Sequence, residues 1–189
     1  MTFYISDLHL GHRNILRFDC RPFSTIEEHD EYLISQWNET IGADDDVWIL
    51  GDISWYSALK TVNILKRLNG KKHLCIGNHD HKLIKSADIQ QQFAEIVDYK
   101  EISFGDGTGV VLCHYPISCY NKHFYGWYHL YGHVHATFEW TMIEQFQNQM
   151  REQHQKKSQM YNVGCMMGYM NYRPRMLEEI LEAHNERHN

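Results

Sequence analysis

The chain has 189 residues, enough for one domain that removes roughly 70% of its unfolded surface from water and too short for two well-cored domains. With 43% hydrophobic and 22% charged residues and only short apolar runs, the composition excludes a disordered chain, a fibre and a membrane span. Eighteen basic against 24 acidic residues give a formal charge of -6, so there is no basic face for a long nucleic acid.

The N-terminus, Met1 to Asp7, has no basic leader and no apolar stretch of signal-peptide length, and the five cysteines fall in no paired spacing. Both features point to a reducing cytoplasm. Strands are predicted at Phe3 to Ser6, Val47 to Leu50, His73 to Ile76, Val110 to Cys113 and Tyr128 to Tyr131, each a short run rich in aromatic and β-branched residues. Cys75 and Cys113 lie inside such runs and read as small core residues. A first helix follows Ser24, where Ser-Thr-Ile-Glu reads as a capping box closed by Glu27, with Ile26, Leu33, Ile34, Trp37 and Ile41 on one face. A second runs from Ser57 to Asn69 with Leu59, Val62, Leu65 and Leu68 inward, Lys66 and Arg67 in its last turn and Gly70 beyond. Phe104 to Gly109 carries a Gly-rich hairpin signature, and the later strands are expected to follow one another without helices between them. From Thr141 to Ser158 the chain becomes polar and glutamine-rich, an exposed helix or ordered excursion. Met142, Ile143, Phe146 and Met150 recur there at helical spacing and can pack on the body or on a second subunit. The pattern predicts one α/β domain over residues 1–189, with two mixed β-sheets packed as a sandwich and helices on the outer faces.

Each predicted strand ends in a polar cluster: Asp7-Leu8-His9, Gly51-Asp52, Gly77-Asn78-His79-Asp80, Cys113-His114-Tyr115-Pro116 and Gly132-His133-Val134-His135. Carboxylate oxygen, imidazole nitrogen and amide oxygen form a donor set that borderline divalent metals such as manganese, iron or zinc accept. On extended chain, the i, i+2 spacing of Asp7 with His9 and of His133 with His135 puts each pair on one side, converging on one centre. Gly51 and Gly77 stand where the chain must turn sharply and let a ligand approach the backbone. A single pair of this kind is usually a hydrogen-bonded turn. Five together would leave an unpaired buried polar set at the strand ends unless a cation is present.

Taken in order, these motifs resemble the calcineurin-like metallophosphoesterase superfamily from Asp7 to His135. The stretch from Asp7 to Ile15, and Asn162-Val163-Gly164 followed by Asn171-Tyr172-Arg173-Pro174, look like its small bacterial and phage members. Ala136 and Cys165 depart from the pattern without removing a ligand type. The resemblance implies the αββα fold and two divalent ions, manganese first, with iron, zinc, nickel or cobalt as alternatives. One ion is expected on Asp7, His9 and His135 and the other on Asn78, His114 and His133, with Asp52 bridging them. It further implies hydrolysis of phosphate esters by in-line attack of a metal-bridging hydroxide. His79 would be the proton donor to the leaving oxygen, its ring oriented by Asp80.

His12 and Arg13 follow the first ligand pair and can reach a phosphate at the site mouth, Arg13 through a forked contact; a solvated loop pair is the alternative. Trp127 to Tyr131 reads as core, whereas Tyr120, Phe124 and Tyr125 are open to base stacking. The reading is an enzyme for small phosphodiesters or nucleotides. The alternative is a catalytically silent scaffold of the same fold that binds protein partners.

Overall fold

Apolar side chains that alternate with a period of two give a strand two faces to bury, and the chain meets this by stacking two sheets between helices. The computed structural model describes residues 1–186. Its elements run β1 (Thr2–Ile5), α1 (Ile15–Phe18), α2 (Ile26–Thr40), β2 (Asp46–Ile49), α3 (Ala58–Leu65), β3 (Lys71–Cys75), α4 (Ala87–Gln90), β4 (Glu95–Val97), β5 (Tyr99–Ser103), β6 (Gly109–Cys113), β7 (Tyr128–Tyr131), α5 (Phe138–His154), β8 (Met160–Asn162) and α6 (Leu177–Glu186). The first sheet has the order β1-β2-β3-β4 and is parallel throughout. The second, β5-β6-β7-β8, is the mixed one, with β5 antiparallel to β6 across the predicted hairpin and the other pairs parallel. No helix among the described residues is long and apolar enough to cross a membrane.

Successive residues of one strand face different cores. Phe3, Ile5, Val47, Ile49 and Leu74 pack with Leu33 and Trp37 of α2 and with Val62 and Leu65 of α3. Tyr4, Trp48, Leu50 and Cys75 turn the other way and meet Val110, Leu112 and Leu130 between the sheets. Val111 and Tyr131 leave the second sheet on its far side, beneath Ile143 and Phe146 of α5. The open edge of β1 is closed by the segment after β8: Ser6 N donates to Val163 O, Cys165 N to Ser6 O, and Tyr4 and Arg175 exchange backbone bonds.

Several predicted details shift. Thr25, not Ser24, caps α2: its Oγ1 accepts from Glu28 N at 3.1 Å, while the Glu28 carboxylate accepts from Ser24 N at 2.9 Å. The box is displaced by one residue because the apolar face has to begin at buried Ile26. Helix α3 stops at Leu65, and Leu59 is 74% exposed. Its inward place is taken by Thr61, on the face of Leu65, whose hydroxyl is satisfied by donating to Ser54 Oγ at 2.9 Å. Strands β4 and β8, three residues each, are too short to show a period. The later strands do not follow without helices: α5, inside the polar segment, joins β7 to β8 as a parallel crossover must. Helix α5 packs through Ile143 and Phe146, whereas Met142 is exposed. Its one buried polar side chain, Gln147, accepts from Met160 N at 2.8 Å and donates to Met160 O at 3.1 Å, covering the free edge of β8. Tyr120 is 1% exposed and donates to Trp127 O, which removes it from base stacking.

Buried His129 on β7 holds the loop after β6. Its Nδ1–H donates to Val111 O at 3.0 Å and its Nε2 accepts from Ile117 N at 3.0 Å, the neutral tautomer. Burial lowers its pKa from 6.5 to about 4, against a smaller opposing effect of its backbone bonds. The unfolded chain therefore binds the extra proton first. This contribution to stability is complete above about pH 6.5 and is lost as pH falls toward 4, a total of about 3 kcal/mol. Urea unfolding of the chelator-treated protein and of His129→Gln should show a stability gap that narrows by that amount between pH 7 and pH 4. A constant gap would mean that His129 does not titrate in this range.

Candidate metal centre

The C-terminal ends of β1, β2, β3, β6 and β7 carry the five polar clusters, the position where ligands meet open α/β sheets. The pairs do not converge on extended chain, as expected from spacing. Asp7, His9, Asp52, His133 and His135 all have left-handed backbones, with φ between 49° and 70°. Such a conformation brings Cβ against the carbonyl and persists only where the surroundings fix it. Gly51, at φ 88°, makes the corresponding turn after β2, and a Cβ on Gly77 would lie 2.3 Å from Asp52 Oδ1. The two loops can touch only because both positions are glycine.

The turns are tied to one another through carboxylates. Asp7 accepts from His133 N at 3.2 Å, and Asp52 Oδ1 accepts from His79 N at 3.0 Å. Asp80 is fully buried; its Oδ2 accepts from Asp52 N and Gly77 N and its Oδ1 from Ile53 N, all at 2.8–2.9 Å. The expected contact to the His79 ring is thus replaced: both Asp80 oxygens are committed to backbone, because three buried N–H groups at this junction would otherwise lack acceptors. Asp80 clamps two ligand loops together.

Within this frame the seven candidate ligands form two groups. Asp7, His9 and His135 meet at one end, with His9 Nε2 3.1 Å from His135 Nε2 and His135 Nε2 3.8 Å from Asp7 Oδ1. At the other end Asn78 Oδ1 lies 2.9 Å from both His114 Nε2 and His133 Nδ1. Asp52 Oδ2 sits between them, 3.7 Å from His9 Nε2 and 3.7 Å from His114 Nε2. His114 Nδ1 lies 2.7 Å from Leu50 O, which fixes the ring with its Nε2 toward the Asn78 oxygen.

This donor set fits divalent cations. Asp7 and Asp52 are both buried and close. Burial raises the Asp52 carboxyl pKa above its ordinary value, with the Asp7 charge adding to the effect and His114 opposing it. Burial, then the charges of Arg21 and His135, hold His9 far below the usual histidine range, as a neutral imidazole whose Nδ1 has no hydrogen-bond partner. Two buried carboxylates this close are unfavourable alone and would become favourable ligands with a cation between them.

Two supporting residues escaped the sequence reading. Asp19 accepts from His135 Nδ1 at 2.7 Å, which turns His135 Nε2 toward Asp7. Burial lowers the His135 pKa, but the Asp19 bond and the Asp7 charge outweigh it and the net shift is upward. Arg21, buried, bonds Asp19, donates to the carbonyls of Asp7 and Leu8 and to Cys165 Sγ, and is joined to His29 Nε2 at 2.8 Å. His29 in turn donates to Asp30, which accepts from Gly11 N. Asn162 Nδ2 donates to His135 O at 2.8 Å, giving the Asn162-Val163-Gly164 motif its place. Nothing in the spacing of Asp19 and Arg21 marks them, since an arginine in a loop is ordinarily a surface residue.

His79 is exposed, with Nε2 4.0 Å from Asp52 Oδ2 and its ring 4.4 Å from that of Trp55. His12 stacks on Trp55 at 4.2 Å, beside the cluster. Arg13 has a side chain 81% exposed, with Nη2 3.6 Å from Glu27, and lines a separate hollow with Thr25 and Ile26.

The family model for calcineurin-like phosphoesterases matches residues 2–183. An uncharacterized protein of Methanocaldococcus jannaschii is 35% identical over 137 residues, 71% of this chain and 69% of that one. The gene 66 protein of Mycobacterium phage L5 is 33% identical over 131 residues, 61% of this chain and 63% of the phage protein, just under two thirds of its length. A solved structure of a protein of unknown function from Aquifex aeolicus shares the fold, with a TM-score of 0.72 over 96% of this chain and 98% of that one at 23% identity.

Asp19→Asn keeps the side chain's size and removes its charge. Calorimetry should show divalent-ion affinity lowered by about 10–100-fold with unchanged circular dichroism, the effect of losing a carboxylate behind a histidine ligand. Affinity equal to the wild type would leave Asp19 with a structural role only.

Proposed function

The chain belongs to the calcineurin-like phosphoesterase family and is a metal-dependent phosphoesterase, and from that premise we propose that it hydrolyses phosphodiesters, small or nucleotide, with two divalent ions and His79 as proton donor. The position of Asp52 Oδ2, 3.7 Å from a histidine of each ligand group, carries this reading, since one carboxylate oxygen between two donor sets is what a shared ligand requires. Asp7, His9 and His135 would hold one ion and Asn78, His114 and His133 the other. Manganese is our first choice from the family resemblance, and the same donor set would accept iron, zinc, nickel or cobalt. When bound, such ions supply Lewis-acid activation of water and offset negative charge on the phosphoryl oxygens.

The remaining work falls to the chain's own groups. His79 is fixed through its backbone, by the bond to Asp52 Oδ1, while its ring reaches solvent at a hollow of about 410 Å³ lined by Trp55, Tyr56, Lys82 and Leu83. A protonated imidazole there can pass its proton to the departing oxygen, which matters most when that oxygen is basic. His12, stacked on Trp55, borders the same approach. That all ligand types and His79 are present speaks against the silent scaffold. With the five cysteines free, we place the protein in the cytoplasm.

Metal analysis of the manganese-loaded protein should find about two ions per chain, the count for a paired catalytic site, and a single ion per chain at saturation contradicts the shared Asp52. Bis(4-nitrophenyl) phosphate should be hydrolysed faster than 4-nitrophenyl phosphate; a clear monoester preference overturns the diester reading. His79→Ala should lower turnover of a diester with an alkoxide leaving group by about 100-fold or more, and of a 4-nitrophenyl diester much less, because only the basic leaving oxygen needs the proton. Equal losses on both esters, or none, would remove His79 from proton transfer.

A further inference from the structure

Two hollows lie beside the proposed machinery, and the proposed chemistry uses one of them. The first opens at His79. The second, about 510 Å³, begins at His133 and runs between the Tyr115–Pro116 turn and α5, where Met142, Ile143 and Phe146 form its wall. They share no lining residue. Each has the size of a pocket for a small organic group.

The second hollow is continuous with the candidate ligands. The Tyr115 ring lies 4.7 Å from His133 and 5.1 Å from His114. Tyr115 and Met142 leave 42% and 59% of their surface exposed beside it, apolar surface held open next to a polar cluster. Its far wall is fixed rather than loose, since the two Gln147 bonds fasten α5 to β8. The charge is also selective: Glu139 is one of the lining residues, and among the described residues no lysine or arginine lines the groove. A further phosphate would be repelled there, whereas an uncharged ring or alkyl chain would bury the exposed apolar area.

A phosphomonoester has one organic substituent, the leaving group, which the proposed chemistry directs to His79. We infer that the groove between Tyr115 and α5 receives the second substituent, the group that stays on phosphorus, and that the substrate is a diester whose retained group is apolar and uncharged. This rests on the diester reading above and adds to it the character of the retained arm.

The test keeps the leaving group constant. Methyl 4-nitrophenyl phosphate and phenyl 4-nitrophenyl phosphate are compared by kcat/KM with the manganese-loaded full chain, each corrected for its own rate in hydroxide. The phenyl ester should be preferred by about tenfold, the discrimination an apolar pocket gives for a few buried carbons, and Met142→Glu, at a solvent-exposed position, should bring the ratio to within about twofold of unity. In the magnesium-loaded protein, the ε-methyl signal of Met142 and the δ-methyl signal of Ile143 should shift on adding diphenyl phosphate and not on adding dimethyl phosphate. Equal kcat/KM for both esters, a preference that survives Met142→Glu, or methyl signals that do not move would overturn the inference while leaving diester hydrolysis intact. If neither diester is hydrolysed, with or without turnover of 4-nitrophenyl phosphate, the diester reading falls and this inference with it.

Discussion

The centre depends on a backbone constraint: five candidate ligands occupy left-handed conformations at the ends of strands. At about 1–2 kcal/mol each for a non-glycine residue, their summed cost is comparable with the whole net stability of a domain. Such turns survive because each is held from several directions. Asp7 accepts from the His133 backbone, Asp52 from that of His79, and Asp80 from that of Asp52, Ile53 and Gly77. Asp7 and Asp52, which face the cluster, therefore also fix the loops that deliver other candidate ligands. Orientation and donor chemistry come from the same two side chains.

The Asp7–His9 turn has a second support that begins in a helix. Asp30 and His29 of α2 transmit order to Arg21, whose guanidinium grips the carbonyls of Asp7 and Leu8 and pairs with Asp19. A guanidinium offers donors only and a fixed planar geometry, so this buried cation can satisfy several acceptors at once without adding an acceptor of its own. Asp19 balances its charge and uses its other oxygen on His135. Helix α2, which supplies no candidate ligand, thus helps to set the position of three.

Most of the architecture was legible in the sequence because the signals were local. Strand runs with apolar residues on both faces, the capping residues before Ile26 and the Gly-rich turn at Phe104 to Gly109 each fall within a short window. The seven candidate ligands were legible as strand-end clusters, and the fold brings them together. What was hidden is non-local. Asp19 and Arg21 gain their meaning from contacts to Asp7, His135 and Cys165, the last of them 144 residues from Arg21. Asp80 sits next to His79 in sequence yet serves the backbone of a loop 27 and 28 residues away. The polar composition of α5 left open whether it was an exposed helix or an excursion, because its one buried side chain is a glutamine whose amide bonds β8. Leu59 and Thr61 exchanged expected places for the same reason: a hydroxyl with a partner can be buried as readily as a methyl group.

The closure of the β1 edge by residues 163–175 also bears on how the molecule is made. The strand that carries the first ligand pair is synthesised well before the residues that supply its edge bonds, Val163 and Arg175. While the ribosome is still extending the polypeptide, Asp7 and His9 have neither that support nor the His133–His135 turn. Contacts of this sequence separation must wait for a large loop to close and slow the search for the native state. Ion capture with full affinity would consequently wait until the segment that reaches Arg175 has emerged.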